Sequence, residues 1–208
     1  MQKRRKNRLR EYNYAGAGYY YVTVCAAGRG EWLGEIRNRE MVLNDWGRIV
    51  EACWLDLPNH YAGVKLDRYV VMPNHFHGIV VIHHGGNKST TGDESIVGNG
   101  LKPFPTNVPA PMPSSENTPS RPQKRHGLSE IMRGFKTFSA RRINEKLPGG
   151  ERFRWQKSFY DRVIRHDQEL NRIREYICQN PSQWGIDPEN RNLKPMTPEA
   201  PPLKTFDF

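Results

Sequence analysis

The sequence predicts an α+β chain, on three observations. Runs of β-branched and aromatic residues alternate with segments of helical period. Their order is strand, helix, strand, strand, helix, strand, helix. A long Pro- and Gly-rich stretch interrupts them, yet the halves on either side can still share one sheet. The first six elements match a βαββαβ ferredoxin-like antiparallel sheet with helices on one face, followed by one more helix at the C-terminal end. That architecture hosts many functions and decides none alone.

The opening MQKRRKNRLR is basic and has no hydrophobic pattern, so residues 1–18 read as an arm ahead of a domain over 19–188. Tyr19 to Ala26 (YYYVTVCA) is strand-like, and Gly28 and Gly30 end it. Residues 32–40 fit a short hairpin. Asn44 is placed to cap a helix running to about Leu57, in which Trp46, Ile49, Val50, Cys53 and Leu57 recur at helical spacing and which Pro58 closes. Leu66–Met72 and Phe76–Ile82 are strands, broken by Pro73-Asn74.

Residues 85–127 hold seven of the 16 prolines and six glycines, too little apolar surface to offset the entropy of ordering, so a disordered insertion is expected. Leu128, Ile131, Met132, Phe135 and Phe138 then form the stripe of a helix ending near Leu147. Residues 159–165 (FYDRVIR) alternate like a strand. Asp167 is placed to cap a last helix with Leu170, Ile173 and Ile177 buried, which Pro181 halts. The tail, 189–208, is expected to be loosely ordered.

Lys and Arg number 32 against 22 Asp and Glu, a surplus of +10 that favours polyanions, nucleic acid first and anionic membrane second. No stretch approaches about 18 consecutive apolar residues, and no apolar region follows the basic start as in a signal peptide. Cys25, Cys53 and Cys178 are odd in number and far apart, which suits neither a disulfide framework nor a metal knuckle. A cytoplasmic protein that meets nucleic acid is expected.

His75-Phe76-His77 carries the first chemical signal. Strand side chains alternate, so both imidazoles face one side and Phe76 anchors the other. Two convergent imidazoles are two metal ligands, though a strand pair that binds nothing is the plain alternative. Tyr176 and Asn180, four residues apart, share one helix face at the edge of its buried stripe. There Asn180 could lend an amide oxygen and Tyr176 a hydroxyl; equally, they could be a boundary tyrosine and a helix C-cap. HExxH is absent, His83 and His84 sit at the mouth of the insertion, and Gly28-Arg29-Gly30 lacks the follow-on of a phosphate loop.

The stretch Tyr69–Ile82, YVVMPNHFHGIVVI, resembles the strand-turn-strand of the IS200-like, single-tyrosine transposases of the HUH endonuclease superfamily. The likeness continues through LSEIMRGFKTFSARRIN, Trp155-Gln156, FYDRVIR and REYICQNP, the last being similar to the catalytic helix of REP-associated tyrosine transposases. It implies that His75, His77 and Asn180 hold Mg²⁺ or Mn²⁺. It implies too that Tyr176 attacks a single-stranded or hairpin DNA phosphate, leaving a 5′-phosphotyrosine and a free 3′-hydroxyl.

Tyr160 is the second choice as nucleophile. Tyr19, Tyr20 and Tyr21, where a relaxase would carry its tyrosine, read as strand residues. Candidate phosphate contacts are Arg133, Lys136, Arg141 and Arg142 on the second long helix, and Lys3, Arg4 and Arg5 in the arm. Relatives act as a homodimer or a monomer. The rival readings are a non-catalytic hairpin-binding regulator and a phosphodiester hydrolase that uses water.

Overall fold

A computed structural model describes residues 16–83, 126–187, 189 and 190. Lys3, Arg4 and Arg5, nearly all of the expected insertion and the tail beyond Asn190 lie outside the described residues. Strand β1 (Gly18–Cys25) leads to a hairpin of β2 (Gly34–Arg37) and β3 (Glu40–Leu43). Helix α1 (Asp45–Leu55), the single turn α2 (Leu57–His60) and strands β4 (Val64–Val71) and β5 (His75–Ile82) follow. Then come α3 (Leu128–Asn144), β6 (Tyr160–Ile164) and α4 (Asp167–Gln179), which tightens into 3-10 turns over Asn180–Ile186.

The four main strands pair antiparallel in the order β4-β5-β1-β6, the expected ferredoxin-like sheet. Strand β6 follows residues 84–125 yet pairs with β1, so the described residues on both sides build one sheet within one compact unit. Residues directly opposite each other share a face. Tyr20, Val22, Val24, Phe76 and Val80 point to the face covered by α1 and α3, where they meet Trp54, Ile131 and Phe135 in the larger core. Tyr21, Ile79 and Ile164 point the other way, against Leu170, Ile173 and Ile177 of α4. Gly78 lies on the first face beneath Trp54; a Cβ there would sit 2.5 Å from the indole.

Several boundaries differ from the sequence reading, each for a local reason. Pro58 does not close α1 but opens α2, because a residue without an N–H is tolerated in a first turn. The cap of α4 is His166, whose Nδ1 accepts from the Glu169 amide at 3.3 Å; Asp167 is the first helical residue. Phe138 is 52% exposed, because the buried stripe of α3 passes through Ser139 to Ile143. Ser139 is accommodated there by donating to the Phe135 carbonyl and accepting from the Trp155 indole. Trp155 and Gln156 extend the β1 edge, through a bridge to Ala26 and a hydrogen bond that the Gln156 amide donates to the Cys25 carbonyl. Among the described residues, no helix is long and apolar enough to cross a membrane.

Candidate cation and nucleophile site

Strand β5 lies between β4 and β1, and all eight of its residues are buried. Alternation turns Phe76 into the helix-covered core and sends His75 and His77 to the opposite face, with ring centroids 4.6 Å apart. The Asn74 side-chain amide donates to the Arg29 and Glu189 carbonyls, which fixes which end of the amide is oxygen. That oxygen accepts from His75 Nδ1 at 2.8 Å, so the neutral ring carries its proton there and a lone pair on Nε2. His77 Nδ1 lies 2.7 Å from the Tyr21 hydroxyl and 2.8 Å from that of Thr23, both carried by β1 opposite. Partners of this kind orient metal-binding imidazoles.

Helix α4 covers this face. Its apolar stripe packs on Ile79 and Ile164, and two ion pairs fasten it. Near its start, Glu169 pairs with Arg162 of β6 and accepts from the Arg165 amide at 3.1 Å. Further along, Arg174 grips Asp67 with two parallel bonds, Nε to Oδ1 at 3.0 Å and Nη2 to Oδ2. Asp67 stands where the β4-β5 register shifts between Leu66 and Tyr69, an irregularity of the kind that re-aims a side chain. The helix thereby carries Tyr176 to within 5.4 Å of the His77 ring, centroid to centroid, with Tyr21 edge-on at 6.4 Å. Asn180 is 3% exposed.

Three buried atoms here have no hydrogen-bond partner: His75 Nε2, His77 Nε2 and Asn180 Oδ1. Buried polar atoms are rarely left so. Burial, then Arg29, pushes the His75 pKa down to about 3, and burial, then His75, holds His77 well below its usual value. Neutral imidazoles and an amide oxygen are a donor set that a divalent cation accepts, so the residues present fit one. Burial raises the Tyr176 phenol, outweighing the hydrogen bond from Asn180 that favours its ionised form.

Of the other tyrosines, Tyr160 packs against Tyr21 at 6.4 Å, and Tyr21 is buried with its hydroxyl on His77. The α3 cations lie elsewhere, on the layer across the sheet from the histidines. There Lys136 is held by the Gln156 and Lys157 carbonyls, Arg141 pairs with Glu145, and Arg142 reaches Cys53 Sγ; Arg133 is exposed. Sequence reasoning missed Asn74, Tyr21 and Thr23, the last two because they reach His77 only through the β1-β5 register. It also missed Asp187, which the turns after α4 return to the site, its Oδ2 3.9 Å from His75 Nε2.

Sheet order, paired histidines and facing helix together define a recognisable fold. A solved REP-associated tyrosine transposase, in complex with a REP hairpin, superposes with a TM-score of 0.50 at 16% identity, covering 86% of this chain and 74% of that one. The fold is that of the IS200-like single-tyrosine transposases. No family model matches the sequence. An uncharacterized protein of Haemophilus influenzae is 33% identical over 192 residues, 90% of this chain and 93% of that one, and the chain belongs to one family with it.

Proposed function

We propose that this protein is a transposase-type enzyme that cuts and rejoins single-stranded or hairpin DNA, with Tyr176 as nucleophile and His75, His77 and Asn180 as holders of Mg²⁺ or Mn²⁺. One observation supports the reading: His75 Nε2, His77 Nε2 and Asn180 Oδ1 are buried without a hydrogen-bond partner, and the half-buried Tyr176 ring lies 5.4 Å from that of His77. The bound cation would act as a Lewis acid toward a phosphate oxygen. The rest falls to the chain. Asn74, Tyr21 and Thr23 hold the imidazoles in orientation, and α4 holds the phenol against them, so that attack becomes effectively unimolecular.

Tyr176 Oη forms a bond to phosphorus as the phosphorus–O3′ bond breaks. The phenol gives up its proton, the departing 3′ oxygen gains one, and the 5′-phosphate stays on the enzyme. Attack by another 3′-hydroxyl reverses the exchange and frees the tyrosine, so no nucleotide hydrolysis is needed. The solved neighbour's hairpin supports hairpin DNA as the ligand class, and the net charge of +10 supports a polyanion.

The test is incubation with labelled hairpin DNA in Mn²⁺ or EDTA, followed by denaturing electrophoresis. A metal-dependent covalent adduct that disappears in Tyr176→Phe is expected. An adduct retained by Tyr176→Phe overturns the nucleophile. Cleavage without any adduct favours water as the nucleophile, and binding without cleavage a regulator.

A further inference from the structure

Asp187 is absent from the His-x-His and Tyr-x-x-x-Asn patterns, lying seven residues past Asn180 beyond a run of 3-10 turns. It is 8% exposed. Its Oδ1 accepts from the Glu189 amide at 2.7 Å, an ordinary turn contact that gives a carboxylate here a structural use. Its Oδ2 faces His75 Nε2 at 3.9 Å, and among the described residues His75 is the one basic side chain paired with it. The neighbouring cation, Arg29, is engaged by Glu189 instead, at 3.0 Å.

The facing atoms are both electron-rich. The Arg29 and Glu189 carbonyls orient the Asn74 amide, and the Asn74 oxygen takes the His75 Nδ1 proton. His75 therefore turns a lone pair, not an N–H, toward the carboxylate. A hydrogen bond would in any case need about 3.2 Å or less. Two lone-pair donors held face to face in a buried pocket repel unless something positive lies by both. Cation–ligand distances of about 2.0–2.2 Å let two donors with this spacing share one ion.

We propose that Asp187 is a further ligand of the cation held by His75, His77 and Asn180, and the carboxylate of that site. The inference rests on the proposed function. Two imidazoles and an amide supply no charge to offset a buried dication, and nitrogen-rich sets suit Zn²⁺ or Ni²⁺. A carboxylate supplies that charge and turns the set toward Mn²⁺ and Mg²⁺. The latch that orients His75 also positions the ligand, since Glu189, whose carbonyl holds Asn74, is two residues from Asp187.

Mn²⁺ affinity of the DNA-free protein, read by electron paramagnetic resonance, tests this apart from catalysis. Asp187→Asn keeps an oxygen for the Glu189 amide, removes the charge and replaces the oxygen that faces His75 by an NH2 group. It is expected to weaken Mn²⁺ at least tenfold while leaving the melting temperature near wild type, with Asp187→Glu recovering part of the loss. Gln183→Ala, at an exposed position of the same 3-10 run, is expected to stay within twofold. Affinity unchanged in Asp187→Asn but lost in His75→Ala overturns the assignment of Asp187 alone. Affinity unchanged in both, or no binding by the wild type, overturns the histidine site as well.

Discussion

Replacing Arg174 by alanine separates the packing of α4 from its electrostatic anchoring. The Asp67 side chain is 6% exposed and Arg174 34%, so the pair is buried at one end and wetted at the other. Charge-assisted hydrogen bonds contribute about 1.5–3 kcal/mol, and removing one partner of a fully buried pair costs about 3–5 kcal/mol. Solvent at the guanidinium screens part of this, which brings Arg174→Ala to about 2 kcal/mol. Asp67→Asn/Arg174→Ala should cost less than Arg174→Ala alone, because no buried charge is stranded.

Burial pushes the Asp67 carboxyl up, but its bonds to Arg174 outweigh that and leave its pKa below the usual value. A depressed carboxyl stabilises fully above the unfolded pKa of about 3.9 and ceases to do so as pH falls through the lower folded value. Urea denaturation at pH 7 and pH 3 should therefore give a wild-type advantage over Asp67→Asn that narrows in acid. Hydrogen exchange along α4 should quicken in Arg174→Ala at pH 7. A loss below about 0.5 kcal/mol at pH 7, the value of an ordinary surface pair, would refute the reasoning. So would an advantage that acid leaves unchanged.

Gly78→Ala forces a Cβ to 2.5 Å from Trp54 and 2.8 Å from Phe76. Overpacking of that kind costs about 1–3 kcal/mol, and a thermal melt should show it, with the histidines themselves untouched. Asn74→Ala removes the acceptor that sets the His75 tautomer, so Mn²⁺ affinity should fall about 10–100-fold in a titration.

Much of the fold was legible because its signals are local. The strand β5, the apolar stripe of α4 and the cap at Asn44 each follow from a few adjacent residues, and Asn44 does accept from the Gly47 amide. Two elementary periods, two in a strand and about 3.6 in a helix, put His75 and His77 on one strand face and Tyr176 and Asn180 on one helix face, each with a plain structural alternative; joining the four in one candidate site came from the resemblance. What escaped depends on pairing between distant segments. Tyr21 and Thr23 reach His77 only through the β1-β5 register, and nothing within YYYVTVCA separates them from Tyr20 and Val22 except which way the sheet faces. Asp187 escaped because a 3-10 run has no period that carries a site residue forward. Phe138 misled because an aromatic one position off the stripe resembles one on it, while Ser139 looked too polar for the core.

The pairing of β1 with β6 sets a schedule. Ribosomal synthesis delivers β1, β4 and β5 long before β6 and α4, and contacts between such distant segments form late. Until the last helix emerges, the face bearing Tyr21, Ile79 and both histidines is bare, a sticky surface that invites association with other nascent chains. Tyr176 arrives on the helix that closes this face, and Asn180 directly after it. A chain stalled before Asp167 would thus be prone to aggregate, and the cover and the candidate nucleophile would come to the finished chain in one step.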